Sequence, residues 1–225
     1  MPVLSIVIPT LNEAETLPET LMVLQAVRKQ GVEIIVVDGG STDNTSEISD
    51  GLVDKFMFSP TGRAAQLNKG AEVAKGQFLL FLHADTLVPE AGLMQIISNM
   101  RQQDKRWGRF DVKLNGKHIA YRVIEKMMNI RSCLTGIVTG DHAMFVSKNL
   151  FEQVGRYPDI QLMEDIALSK KLKKHTSPVC LKANVVTSVR RWQTFGIYKT
   201  VWLMWSLRLR YFFNADPSEL SKMYR

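Results

Sequence analysis

Val3-Leu4-Ser5-Ile6-Val7-Ile8, running into Pro9-Thr10-Leu11-Asn12-Glu13, is the stretch that decides the fold. The first six residues are an apolar, β-rich run of the kind a buried strand needs, and the next five read as a polar loop. Beyond it Leu17, Leu21, Leu24 and Val27 recur at helical spacing, and Gly31 ends that helix. Residues 32–37 form a second buried-type strand, closed by Asp38-Gly39-Gly40-Ser41-Thr42-Asp43. A short helix from about Thr42, a weaker strand near 53–58, a helix over 64–74, a strand over 78–82 and a helix over 90–100 follow. Strands separated by helices of this length are parallel βαβ units, whose ligand crevice lies at the carboxyl ends of the strands.

The second half is less regular. Residues 110–114 and 143–147 read as strands, 119–131 and 166–174 as helices, and 194–213 as a strongly apolar segment carrying Lys199, Arg208 and Arg210. There is no repeat, low-complexity tract or clear linker. The expected fold class is α/β, one domain with a C-terminal helical extension.

Bulk properties narrow the function classes. With 225 residues, 45% hydrophobic and 23% charged, the chain has the composition of an ordinary globular protein. Its +7 formal charge is uneven: residues 166–225 hold 12 Lys or Arg against Asp216 and Glu219. A basic end on a mildly acidic body points to an anionic contact: a membrane surface, a phosphorylated acceptor or nucleic acid. No nucleic-acid-binding module is recognisable, so specific nucleic-acid binding is not expected. Cys133 and Cys180 are far apart and suggest neither a disulfide framework nor a zinc site, which fits a reducing compartment. The N-terminus lacks a basic n-region and a cleavage site, so it reads as a strand and not a signal peptide.

Three polar loops follow three apolar strands and should open on one edge of the sheet. In the second, the glycines permit close backbone approach to a ligand, and Asp38 can accept hydrogen bonds from a base or ribose. Taken alone, each of these loops is accounted for by turn and cap chemistry. In the third, His83-Ala84-Asp85, a carboxylate at the end of a buried strand is placed to hold Mg²⁺ or Mn²⁺. Asp85 as a turn cap and His83 as a packed side chain are the alternatives.

Together these segments resemble the family 2 glycosyltransferases. The resemblance rests on Ser5-Ile6-Val7-Ile8-Pro9-Thr10-Leu11-Asn12-Glu13, Val37-Asp38-Gly39-Gly40-Ser41-Thr42-Asp43, Gly62-Arg63-Ala64-Ala65-Gln66-Leu67-Asn68-Lys69-Gly70 and Leu82-His83-Ala84-Asp85. It continues through Gly155-Arg156-Tyr157-Pro158-Asp159 and Met163-Glu164-Asp165 to Arg190-Arg191-Trp192. Each motif is weak alone, but their order and spacing are a strong signal.

The resemblance implies a GT-A fold, a Rossmann-like, mostly parallel sheet flanked by helices, in a small stand-alone bacterial-type member. The nucleotide-sugar half would span about 1–100, the acceptor half about 101–192, and the amphipathic helical extension 193–225. By similarity Pro9, Thr10, Glu13 and Asp38 contact the nucleoside, with Arg63 beside base or ribose; Asn12, Gly39, Ser41 and Asn68 complete the expected donor set. Asp85 takes the place of the metal-ligating Asp of the family's DxD motif, while His83 stands where the first Asp is usual. Asp165, with Glu164 as the alternative, matches the catalytic base; Asp165 as a helix N-cap is the structural alternative. Arg191-Trp192 resembles the end of a QxxRW motif whose Gln is missing, with Arg191 toward the diphosphate and Trp192 stacking on donor or acceptor.

The implied function is an inverting, metal-dependent transfer of a sugar from a nucleotide-diphosphate sugar to an acceptor hydroxyl, on an acceptor not readable from the sequence. The alternative is a non-catalytic nucleotide-sugar-binding protein of the same fold. The expected location is cytoplasmic. The basic aromatic tail leaves three roles open: closing the core, lying as a peripheral helix on the inner membrane face near a lipid or polyprenyl phosphate acceptor, or pairing with a second subunit in a homo-oligomer.

Overall fold

The computed structural model describes residues 2–102 and 106–224. Residues 103–105, inside the expected acceptor half, and Arg225, the last of the expected extension, lie outside the described residues.

In chain order the elements are β1 (Leu4–Thr10), α1 (Leu17–Arg28), β2 (Glu33–Asp38), α2 (Thr45–Ser49), β3 (Lys55–Phe58), α3 (Arg63–Val73) and β4 (Phe78–Phe81). There follow β5 (Thr86–Leu87), α4 (Glu90–Gln102), β6 (Trp107–Leu114), α5 (Ile119–Thr135), β7 (Phe145–Ser147), α6 (Lys148–Gln153) and α7 (Glu164–Leu172). The chain closes with β8 (Val179–Thr187), α8 (Arg190–Phe195), α9 (Ile197–Phe212) and α10 (Pro217–Tyr224). One mixed sheet holds all strands in the order β3-β2-β1-β4-β7-β6-β8-β5.

Within it β1 pairs in parallel with β2 and β4, and β2 with β3, as the strand–helix alternation predicts. β1 is buried on both faces because it serves two cores. Ile6 and Ile8 pack with Leu17, Leu21, Leu24 and Val27 of α1, while Val7 packs with Ala64, Leu67 and Ala71 of α3.

The second half departs from the sequence reading. β8, the nine-residue strand that pairs in parallel with β6, is absent from the sequence reading, although Val179, Leu181, Val185 and Thr187 alternate as its buried face. An irregularity beside Phe110 and Asp111 leaves two extra residues, Lys182 and Ala183, on β8, and a shift of two keeps the alternation, with Lys182 and Asn184 on the exposed face. The apolar segment 194–213 is two helices, broken at Gly196, whose φ of +84° suits a residue without Cβ.

One reading of the cysteines is overturned. Cys133 at the end of α5 and Cys180 at the start of β8 form a disulfide, with Cα atoms 6.0 Å apart. Their separation of 47 residues hid a contact that exists only because α5 lies along β6 and β6 pairs with β8. The reducing compartment inferred from them loses its basis.

Gly70 shows how tightly α3 sits: a Cβ there would collide with the Val7 side chain and stand 3.1 Å from that of Val37. Gly70→Ala is expected to lower the unfolding free energy by about 1–3 kcal/mol, the usual cost of overpacking. Chemical denaturation would show it as a lower midpoint at unchanged slope.

Candidate active site

Register alone puts the loops together: Thr10 lies opposite Asp38 at the carboxyl ends of β1 and β2, and β4 ends beside them. The first two loops then lace onto each other. Asn12, at φ +55°, donates its N–H to Ser41 Oγ at 2.8 Å, and its Oδ1 accepts from Thr42 N at 2.8 Å. Asp38 is buried and accepts from Thr10 Oγ1 at 3.0 Å, Gly40 N at 2.8 Å and Ser41 N at 2.7 Å. Burial works against its charge, but the Ser41, Gly40 and Thr10 bonds prevail and hold the carboxyl below its ordinary range. Buried Gln66 bridges Thr10 O at 2.7 Å and Val37 O at 2.8 Å. Gly39 is held by its N–H to Thr10 O, 2.9 Å, and packs against Gln66. Asn68 spends its amide on both backbone groups of Tyr157.

A cavity of about 830 Å³ opens beside these loops. Of the expected donor set, Pro9, Thr10, Glu13, Arg63, Asp85, Arg191 and Trp192 line it, as do Glu164 and Asp165. Asn12, Asp38, Gly39, Ser41 and Asn68 are not among its walls; they shape the loops behind it.

Asp85 is half-buried, and its carboxyl is raised by that burial and then by the negative charges of Glu13 and Asp141, with Arg190 opposing. Arg190 Nη2 itself sits 3.3 Å from both Glu13 oxygens. His83 is neutral: burial first, then Arg63, pushes it down to about 3. Its Nδ1 faces Asp141 Oδ1 at 3.7 Å, and a Cβ on Gly140 would collide with its ring.

The helix α7 starts at Glu164, after Met163 in the left-handed region at φ 70°. Asp165 is therefore inside the first turn and is not the N-cap. Its Oδ2 accepts from Gly140 N at 2.8 Å and its Oδ1 from Ile166 N at 2.6 Å. Burial and the neighbouring Asp165 push Glu164 up to about 7, opposed by Arg63. Burial raises Asp165 as well, offset by the Gly140 N–H and Arg63. Arg63, 3.6 Å from Glu164, keeps its charge against partial burial because Glu164 and, further off, Asp165 and Asp141 favour it.

Arg191 is engaged by the C-terminal helix. Its guanidinium lies 3.7 Å over the Tyr224 ring and donates to the Tyr224 carbonyl, so it ties α10 to α8. Trp192 is half-buried against the core. Sequence reasoning missed Asp141, Arg131, Arg190 and Arg208, all of which line the cavity. Asp141 sits in Thr139-Gly140-Asp141-His142, a polar run just before an apolar strand, which was the available signal.

Among the described residues, no three or more His, Cys, Asp or Glu side chains are grouped to hold a metal ion by themselves. The donor chemistry fits a divalent cation bound through Asp85 with substrate oxygens completing its shell, since the field of Glu13 and Asp141 at Asp85 is one that a cation would relieve.

Comparison with known proteins places this geometry. A family model described as Glycosyl transferase family 2 matches residues 5–155. The chain is 29% identical over 178 residues to poly-beta-1,6-N-acetyl-D-glucosamine synthase of Staphylococcus aureus (strain COL), covering 72% of this chain and 43% of that protein. It thus spans less than half the length of that relative. Among solved structures, S. aureus TarS 1-349 in complex with UDP superposes with a TM-score of 0.67 at 20% identity, over 84% of this chain and 61% of that one. Mannosyltransferase PcManGT from Pyrobaculum calidifontis, in complex with GDP-Man and Mn²⁺, superposes with a TM-score of 0.64 at 19% identity, over 84% and 57%. The fold is GT-A, as the sequence resemblance implied.

The buried Glu164 sets a stability test. A carboxyl raised in the folded state costs nothing below its unfolded value near pH 4.5, and its cost grows until about pH 7, where the folded group has ionised. The stability of Glu164→Gln relative to the unsubstituted chain is therefore expected to rise between pH 4 and pH 8, by roughly 1–3 kcal/mol. Urea unfolding across that range checks it; a flat difference would contradict it.

Proposed function

Because the chain belongs to glycosyl transferase family 2, we propose that it transfers a sugar from a nucleoside-diphosphate sugar to an acceptor hydroxyl, inverting the anomeric centre. The observation that carries this reading is buried Glu164, paired with Arg63, beside half-buried Asp165 in the wall of a cavity that also opens on Thr10 and Asp85.

The nucleoside lies against Pro9, Thr10 and Glu13 in the half formed by about residues 1–100, with Arg63 beside it. Asp38, Asn12, Gly39 and Ser41 support it by fixing the loop backbone, and Asn68 by fixing Tyr157. Asp85 would hold Mg²⁺ or Mn²⁺; bound there with the diphosphate, the ion supplies charge neutralisation for the leaving group. The acceptor occupies the half formed by residues 101–192. Asp165 takes the acceptor's proton on its carboxylate as the hydroxyl oxygen attacks the anomeric carbon. The bond to the diphosphate oxygen breaks, and the diphosphate leaves with the electron pair. Burial raises the basicity of Asp165 toward the working pH, which suits a general base.

The UDP and GDP-mannose of the similar structures make UDP-N-acetylglucosamine and GDP-mannose the first donors to try. His83, neutral where the family's first metal-site Asp is usual, favours a second reading: a nucleotide-sugar-binding protein without turnover.

Nucleoside diphosphate release in the presence of Mn²⁺ separates the two. Asp165→Asn is expected to lower kcat by about 10²–10⁴-fold while donor binding persists. The unsubstituted rate should climb with pH as the Asp165 carboxyl, raised by burial, ionises above the ordinary carboxylate range. Asp85→Asn should weaken donor binding only when Mn²⁺ is present. Undiminished rates in both variants would refute these assignments; donor binding without release would establish the second reading.

A further inference from the structure

Two helices expose apolar stripes that core packing does not explain. On α5, Ile119, Val123, Met127, Ile130 and Leu134 are exposed, Leu134 at 81%. On α9, Tyr198, Trp202, Trp205, Leu209 and Phe212 are exposed, Tyr198 at 81% and Trp202 at 71%. At 3.6 residues per turn each set spans an arc of about 80°. Each helix also has its core face on the far side: Tyr121, Glu125 and Ser132 of α5, and Thr200 and Leu207 of α9, are buried about half a turn from the stripe. The stripes meet at the cavity, because exposed Met127 and Trp205 both line it.

The charge on these helices has one sign. Arg122, Lys126, Arg131, Lys199, Arg208 and Arg210 stand against Glu125 alone, which already pairs with Arg122 at 2.8 Å. Arg131 and Arg208 face the same cavity, and Arg131 Nη2 is buried with no hydrogen-bond partner among the described residues. Burial, then the repulsion of Arg208, lowers Arg131 to about 10, although Asp165 and Asp141 attract it. A buried guanidinium nitrogen without a partner is costly until an anion fills the gap.

We infer that α5 and α9 together form a docking face for an anionic lipid bilayer, from which a phosphate-bearing lipid enters the cavity between Arg131 and Arg208. Its route as acceptor rests on the sugar-transfer reading; the docking does not. Trp and Tyr beside basic residues are the chemistry of an interfacial helix, its apolar face in the acyl boundary and its cations at the phosphates. A second copy of the chain suits the face poorly, since a two-fold contact would oppose like charges. Among the described residues no helix is long and apolar enough to cross a membrane, so the contact is one of surface.

Co-sedimentation of the full chain with phosphatidylcholine vesicles, and with vesicles containing phosphatidylglycerol, tests this. Binding is expected only with phosphatidylglycerol, and at least about tenfold weaker in each of two paired variants, Val123→Ser with Ile130→Ser on α5 and Tyr198→Ser with Trp202→Ser on α9. Lys199→Glu with Arg210→Glu should weaken it by at least about tenfold without touching the stripes. Unchanged thermal melting verifies the fold of each variant, and UDP–Mn²⁺ titration should match the unsubstituted chain. No binding to anionic vesicles, or full binding by the α5 pair, would overturn the inference, as would a solution dimer that the stripe variants dissociate. UDP–Mn²⁺ binding without vesicle binding would remove the docking face and leave the sugar-transfer reading; the converse would do the reverse.

Discussion

The parallel pairing of β1 with β2 on one side and β4 on the other is the constraint on which everything else rests. Parallel strands end at the same edge, so this register delivers three loops, those after Thr10, Asp38 and Phe81, to one place. It can hold only because β1 is apolar on both faces, with α1 covering one and α3 the other. The tight seat of Gly70 against Val7 fixes how α3 lies, and thereby where Arg63 and Gln66 stand.

On that frame the electrostatics divide the cavity. The side nearest β1 and β4 gathers Glu13, Asp85 and Asp141, and Glu13 and Asp141 raise the cost of charge on Asp85. The far side, from α5 and α9, gathers Arg131 and Arg208. Between them lie Arg63, Glu164 and Asp165, and the Gly140 N–H holds the Asp165 carboxylate in place. Such a gradient suits a reaction that must gather a diphosphate with a cation on one side and remove a proton in the middle. The same pattern gives the apolar stripes of α5 and α9 a cationic border at the cavity mouth.

How much of this was legible depends on whether the signal was local. The first half was readable because its inner strands are mostly apolar runs and its first helix shows its own period, as in Val3–Ile8 and Leu17 to Val27. β8 was not, because Lys182 and Asn184 on its exposed face break up the apolar run by which the other strands were read. Cys133 and Cys180 could not be paired from spacing, since only the packing of α5 along β6 brings them together. In the site, Asp165 and Asp85 were visible as carboxylates at element ends, yet Asp141 and Arg208 acquire their place only when distant helices fold over the cavity. Asp38 shows the reverse. It is as prominent in the sequence as Asp85, but its oxygens are taken by Thr10, Gly40 and Ser41.

The most direct test of sugar transfer at this cavity is a crystal structure of the chain with UDP or GDP and Mn²⁺. The account predicts the nucleoside against Pro9 and Thr10 and the diphosphate facing Asp85, leaving Asp165 open toward α5 and α9. A diphosphate seated instead on Arg131 and Arg208, with Asp85 untouched, would contradict it.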